Sequence, residues 1–167
     1  MDKSIITIKQ AHSIENVISK SRFIAYIKPV STENEAKAFI DEIKTKHKDA
    51  THNCSAYTVG PEMNIQKAND DGEPSGTAGI PMLEILKKQE IHNVCVVVTR
   101  YFGGIKLGAG GLIRAYSGAV RDVIYDMGRV ELREAIPVTV TLDYDQTGKF
   151  EYELASTTFL LREQFYT

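Results

Sequence analysis

Residues 96–116 read VVVTRYFGGIKLGAGGLIRAY, and this stretch is the most informative part of the chain about its fold. Its first residues are β-branched, as in a strand, and a helical period of apolar residues begins at Leu112. Between them lie Gly103, Gly104, Gly108, Gly110 and Gly111. Glycine allows a backbone to come close to another backbone or to a bound anion. The stretch therefore predicts a strand, a glycine-rich loop and a helix, and the loop either packs tightly or binds an anion.

Two known phosphate-binding motifs do not fit this loop. Gly103 and Gly108 have the spacing of a P-loop, but Ala109 and Gly110 stand where Lys and Ser or Thr are required. A dinucleotide fingerprint built on Gly108 and Gly110 would need glycine at position 113, which is Ile113. A simpler arrangement stays open, in which helix-start amides hold a phosphate oxygen and basic side chains supply charge. The predicted nucleic-acid- or phosphate-binding residues are Arg100, Lys106, Gly108, Gly110, Arg114 and Arg121.

A second motif, NDDGEPSGTAGIP at residues 69–81, carries three carboxylates: Asp70, Asp71 and Glu73. Such a cluster could hold a hard cation, but it lacks EF-hand spacing, and Asp-Gly and Glu-Pro are common in turns. No metal site is therefore predicted. Because both motifs carry glycines that permit close approach, we expect Asp71 and Lys106 to lie on one rim of the first domain. There the opposite charges would pair, or frame a ligand between them.

Composition limits the class of protein. The 167 residues are 43% hydrophobic and 25% charged, which is ordinary for a soluble globular chain. The net charge of −2 means that a nucleic-acid partner would need a local basic patch. Cys54 and Cys95 fit neither a zinc nor a redox spacing and are expected to be reduced. The sequence shows neither a signal peptide nor a membrane span, so a cytoplasmic protein without a membrane partner is expected.

The pattern along the chain predicts alternating strands and helices. Thr32 followed by Glu35 is a capping-box signature for a helix that runs to about Lys48. The β-branched run at residues 94–98 predicts a central strand covered on both faces. Other strands are predicted at residues 17–18, 23–27, 54–59, 65–68 and 129–133, and helices at 77–88 and 112–127. Beyond residue 136 the pattern predicts a strand at 138–144, a helix at 146–156 and a strand at 157–165.

The segments DDGEPSGTAGIPML (residues 70–83) and VVVTRYFGGIKLGAGGLIRAY resemble the signature of the YigZ/IMPACT family, bacterial relatives of the eukaryotic protein Impact. SKSRFIAYI at residues 19–27 and THNCSAY at residues 51–57 resemble its shorter motifs. The resemblance implies an α+β fold: a two-layer sandwich similar to a ribosomal small-subunit protein domain and to the fourth domain of elongation factor G. It implies an IMPACT-type N-terminal domain at residues 1–135. Residues 136–167 would then begin a ferredoxin-like C-terminal domain that is incomplete in this sequence.

The resemblance also frames three hypotheses about function. Eukaryotic relatives act in translational control, so the first is a protein that binds nucleic acid or the ribosome through the basic glycine-rich loop. The second is a hydrolase such as a metal-dependent Xaa-Pro dipeptidase, because some bacterial relatives carry that label. Only Asp70, Asp71 and Glu73 cluster, however, which is fewer ligands than such a site uses. The third is a protein-binding adaptor. No cofactor is indicated, and the oligomeric state is left open.

Overall fold

A computed structural model describes residues 4–167 of the chain. It divides into two units, residues 1–134 and residues 135–167. The described part of the first unit contains seven strands and three helices. In chain order they are β1 (Ser4–Thr7), β2 (His12–Ile18), β3 (Ser21–Pro29), α1 (Glu33–Lys46), β4 (His52–Val59), β5 (Ile65–Asn69), α2 (Gly79–Lys88), β6 (Val94–Tyr101), α3 (Gly108–Met127) and β7 (Val130–Arg133).

Five strands form one antiparallel sheet in the order β2-β3-β6-β4-β5. Strand β6 lies at its centre and is buried from Val94 to Arg100, which confirms the central strand predicted from the β-branched run. Strands β5 and β6 both run antiparallel to β4, so their C-terminal ends lie at the same end of the sheet, beside the start of β4. The chain leaves that end of the sheet in two segments, residues 70–78 and 102–107, which carry much of the two motifs.

Helices cover both faces of the sheet. On the front face, α2 and α3 pack against alternate residues of the central strands, such as Phe23, Val96 and Val98. On the back face, α1 packs against the other set, which includes Tyr57 and Val97. The α+β class is confirmed, and α1 adds a third layer to the predicted two-layer sandwich.

Helix α1 begins as its sequence signature predicts. The amide of Glu35 donates to Oγ1 of Thr32 over 3.1 Å, and the Glu35 carboxylate accepts from the amide of Ser31 over 2.6 Å. One helix-start amide, that of Glu35, is thereby satisfied, and the Glu35 side chain in turn binds the amide just before the N-cap residue Thr32. The helix ends at Lys46, two residues before the predicted end.

Helix α3 starts at Gly108, four residues earlier than predicted. The apolar period does begin at Leu112, but Gly108, Gly110 and Gly111 form the first turn of the helix rather than a loop. Glycine is unfavourable within a helix by about 1 kcal/mol relative to alanine. Burial of Leu112, Ala115 and Tyr116 on the front face outweighs that local preference.

A second, two-stranded sheet pairs β1 with β7, of which the sequence pattern predicts only β7. The hairpin of β2 and β3 is also longer than the two short runs predicted there. Ser19 and Lys20 form its turn with φ angles of 47° and 63°. Positive φ at both central residues suits the right-handed twist of the two strands.

The second unit contains a 3-10 turn (Tyr144–Gln146) and helix α4 (Thr147–Leu154). The helix agrees with the prediction for residues 146–156. The strands predicted at 138–144 and 157–165 are wrong, since the described residues of this unit form no strand. An alternating pattern becomes a strand only where another strand accepts its backbone hydrogen bonds. Within the described residues, no helix is long and apolar enough to cross a membrane.

Candidate functional site

The two long motifs meet at the side chain of Glu73. This carboxylate accepts from Nη1 of Arg100 over 2.7 Å and from the hydroxyl of Tyr116 over 2.9 Å. Nε2 of His52 lies 3.4 Å from the same oxygen. Strand β6 supplies Arg100, helix α3 supplies Tyr116, and the turn after β5 supplies Glu73. The meeting of the motifs is therefore an internal ion pair with a hydrogen-bonded tyrosine.

Burial gives this cluster its character. Arg100 is 5% exposed and Glu73 is 6% exposed, so neither side chain is available at the surface. Burial raises the pKa of Tyr116 far above its ordinary value, with Cys54 and Glu73 adding to the effect. Burial likewise raises the pKa of Cys54 to about 12, which keeps its thiol protonated. Arg100, one of the predicted phosphate ligands, instead neutralises Glu73 inside the domain.

Asp70 caps the start of helix α2, although it lies nine residues before the first residue of that helix. Its carboxylate accepts from the amides of Gly76, Ala78 and Gly79 over 2.9, 3.1 and 2.8 Å. Desolvation favours the protonated acid, but the three amide donors favour the carboxylate more strongly, so the pKa of Asp70 is lowered. A negative charge at this position also complements the positive end of the helix dipole.

Asp71 faces helix α1. Its Oδ2 accepts from the amide of Asn53 over 2.7 Å, and Nζ of Lys44 lies 3.4 Å from Oδ1. The peptide oxygen of Asp71 lies 2.8 Å from Nδ1 of His52. The described ion pair of the Asp71 carboxylate is thus with Lys44, and the predicted pairing with Lys106 stays a prediction. Among residues 4–167, no group of three or more His, Cys, Asp or Glu side chains is placed to hold a metal.

The glycines divide between packing and open space. A Cβ at Gly103 would stand 1.9 Å from the backbone oxygen of Lys20, and a Cβ at Gly79 would stand 2.5 Å from the amide nitrogen of Asn69. Both positions hold two backbones in contact. At Gly108, by contrast, nothing described lies within 4 Å of an added Cβ. Gly103 and Gly79 are therefore needed for close packing of two backbones, whereas close packing does not explain the glycine at the start of α3.

The start of α3 is exposed and positively charged. Among the described residues, no side chain caps this helix, and its first turn contains no acidic residue. Gly108 and Gly110 are exposed, as is Lys106 just before them. A Cβ at Gly110 would stand 3.2 Å from Nη1 of Arg114, so that guanidinium folds back along the first turn.

Arg121 lies two turns further along α3, on the same exposed face as Arg114. The structure also adds a cation that was not predicted as a site residue. Lys20, in the β2–β3 turn, lies against Gly103, and its own Cβ would be 2.7 Å from a Cβ at that glycine. Tertiary packing of the hairpin on the loop brings Lys20 there, and no spacing along the chain signals it.

Known proteins match most of this chain. Residues 19–124 match the model of the Impact N-terminal domain. The IMPACT family member YvyE of Bacillus subtilis is 56% identical over 98% of this chain and 76% of its own length. YigZ of Escherichia coli, another IMPACT family member, is 38% identical over 80% of this chain and 67% of its own length.

A solved structure, described as the crystal structure of a hypothetical protein, has the same fold. It superposes with a TM-score of 0.74 at 32% identity, covering 99% of this chain and 81% of the other. The family model spans more than half of the sequence and includes both long motifs, the Glu73–Arg100 pair and the first turns of α3. The chain belongs to the IMPACT family.

Proposed function

We propose that this protein binds RNA phosphates at the first turn of α3, as part of a role in the regulation of translation. The observation that carries the proposal is the guanidinium of Arg114 folded onto an uncapped, glycine-rich helix start. A helix N-terminus carries about half a positive elementary charge. A cation placed there is unfavourable on its own and becomes favourable when an anion binds between the two.

The charge of the surrounding sequence supports the same conclusion. No Asp or Glu occurs between Glu90 and Asp122, whereas that segment contains Arg100, Lys106, Arg114 and Arg121. Arg100 is neutralised by Glu73, which leaves three exposed cations. Lys106 and Arg114 have no carboxylate near them in the sequence, whereas Arg121 is followed by Asp122. A net charge of −2 for the whole chain is compatible with such a local positive region.

Family resemblance supplies the link to translation. The resemblance relates the first unit to a ribosomal protein domain and to a translation-factor domain, both of which work on RNA. We therefore propose RNA, free or in the ribosome, as the polyanion. Fold similarity alone does not define function, so the proposal rests on the charged helix start rather than on the fold.

The acidic motif gives less support to a metal-dependent hydrolase. Asp70 is held by three amides, Asp71 by Asn53 and Lys44, and Glu73 by Arg100 and Tyr116. A hydrolytic metal needs carboxylates that converge on one point and remain free to coordinate. These three each have a separate role in holding the turn.

The test is RNA binding by fluorescence anisotropy at several salt concentrations. Lys106→Glu and Arg114→Glu should each weaken binding roughly tenfold at low salt, irrespective of RNA sequence. On single-stranded RNA, the slope of log affinity against log salt should become shallower by about 0.7 for each phosphate that the variant no longer neutralises.

Lys88→Glu provides the matched control. It makes the same change in net charge, but Lys88 is exposed in the last turn of α2, away from the start of α3. We expect its affinity to equal that of the unaltered protein. Equal affinity for all three variants would contradict the proposed site, and no measurable RNA binding by the unaltered protein would contradict the function.

A further inference from the structure

Phe102 is a large aromatic side chain that the fold leaves exposed, in the segment between β6 and α3. It follows the last residue of β6 and is 46% exposed, whereas Phe23, on the adjacent strand β3, is 1% exposed. Both rings contact the same guanidinium: Cζ of Arg100 lies 5.6 Å from the centroid of Phe23 and 5.4 Å from that of Phe102. Phe23 belongs to the core, but the exposed part of Phe102 packs on nothing described in the domain.

The position of Phe102 is fixed by its neighbours. Its amide donates to Oγ1 of Thr51 over 2.9 Å. Gly103, the next residue, is pressed against the backbone of Lys20. Arg100 beneath the ring is itself held by Glu73. The backbone of Phe102 and Gly103 is thus held in place, and Arg100 supports one face of the ring.

Two lysines are associated with the segment that follows Phe102. Lys20 lies beside Gly103, and Lys106 follows four residues after Phe102. Gly108 lies six positions after Phe102, which limits the distance between their Cα atoms to about 20 Å. A strand that places phosphates at the start of α3 could therefore reach the ring with a base a few nucleotides along the same strand.

We propose that Phe102 is a stacking platform for an unpaired base, so that the site takes single-stranded rather than duplex RNA. The inference rests on the proposed phosphate site and specifies which form of RNA it binds. A base has a flat face that stacks on an aromatic ring whatever its identity. In a duplex the bases are already stacked and paired, so the ring cannot reach a base face.

An exposed apolar ring in a chain segment that carries cations could also contact a protein partner. A protein partner at the proposed site would have to complement Lys106 and Arg114 with carboxylates. A nucleic-acid strand meets both needs with one repeating unit, a base and a phosphate. Charge complementarity therefore favours single-stranded RNA as the occupant.

The experiment compares three RNAs by anisotropy: a short unstructured strand, the same strand in a blunt duplex, and an abasic strand of equal length. The unaltered protein should bind the unstructured strand more tightly than either of the others. Phe102→Leu, which keeps the apolar volume but removes the ring face, should weaken binding of the unstructured strand roughly fivefold or more. Its affinity for the abasic strand should not change, and Phe102→Tyr should bind all three strands as the unaltered protein does.

A matched control is Phe159→Leu, which makes the same change at an exposed phenylalanine of the second unit. It should alter none of the three affinities. A 2-aminopurine base in the strand reports stacking directly, and its fluorescence should be quenched by the unaltered protein but not by Phe102→Leu. If Phe102→Leu binds the unstructured strand as tightly as the unaltered protein, the stacking inference is overturned while the phosphate site stands. Loss of binding in Lys106→Glu tests that site independently.

Discussion

Two carboxylates in the turn after β5, Asp70 and Glu73, make hydrogen bonds and an ion pair that stabilise the fold of the domain. Glu73 satisfies Arg100 and Tyr116 at once, and removing either member of the buried ion pair would leave an uncompensated charge. Asp70 accepts from three amides at the start of α2. Although these two residues lie three positions apart in one turn, they face different elements. Each of these two acidic residues therefore has its own structural role.

Asp70 makes stability depend on pH. Its folded pKa lies below the unfolded value, so the unfolded chain binds more protons, and the carboxylate stabilises the fold above about pH 4. That stabilisation is lost as pH falls through the folded pKa. Asp70→Asn should lower the free energy of unfolding by about 1 kcal/mol at pH 7, and the difference should shrink as the wild-type carboxyl protonates.

Urea unfolding at neutral and acid pH measures this difference. Asp41→Asn, at an exposed position in the middle of α1, is the control for loss of one carboxylate, and its effect should be small at both pH values. A deficit in Asp70→Asn that is the same at neutral and acid pH would contradict the role of the charge.

Helices α2 and α3 follow strands that end at the same edge of the sheet, yet their N-termini differ. Helix α2 receives the Asp70 carboxylate, while α3 begins with glycines and, among the described residues, has no side-chain cap. The long helix is stable because its front face is buried in the core, so its first turn need not be optimised for folding. These uncapped amides are the donors that we propose for a phosphate.

A carboxylate added to α3 should separate folding from binding. Ala109 is exposed in the first turn, and Ala109→Asp would supply the missing negative charge. We expect the free energy of unfolding to rise by about 0.3–1 kcal/mol because the charge complements the helix dipole. RNA affinity should fall, because the same charge repels phosphate.

Urea unfolding and anisotropy on one preparation measure the two quantities, with Ala109→Asn as a neutral control of similar shape. Tighter RNA binding by Ala109→Asp than by Ala109→Asn would be incompatible with a phosphate at this helix start.

The two units of the whole molecule differ in how much they bury. Both hydrophobic cores lie within residues 1–134. None of residues 135–167, all of which are described, is buried, and Tyr152, Phe159 and Leu160 are among its exposed apolar side chains. Because buried apolar area drives cooperative folding, local stability should differ strongly between the units.

Hydrogen exchange followed by mass spectrometry should show this difference. Amides of β6 should exchange slowest, since the strand is central and buried. Peptides from residues 135–143 and 157–167 should exchange before the earliest time point, because their described backbone lies in no helix or strand. Protection of residues 157–167 equal to that of β6 would show that this segment is covered in solution.

Local patterns in the sequence were sufficient for much of the first unit. The β-branched run of β6, the capping box of α1 and the apolar period of α3 predict these elements because each signal lies within a few residues. The same kind of pattern failed at residues 138–144 and 157–165, since a strand also needs a partner that local sequence does not supply.

The motifs themselves were visible in the sequence, and only tertiary structure decided what each side chain does. From the sequence, Arg100 and Lys106 are both predicted to be cations of one loop. The alternation of side chains along β6 instead directs Arg100 toward the core, whereas Lys106 is exposed. Glu73 meets Arg100 from 27 residues away, and Lys20 reaches Gly103 through the packing of a hairpin. The residue types that carry charge are fixed by the sequence, whereas burial depends on the whole fold and sets which of those side chains are exposed.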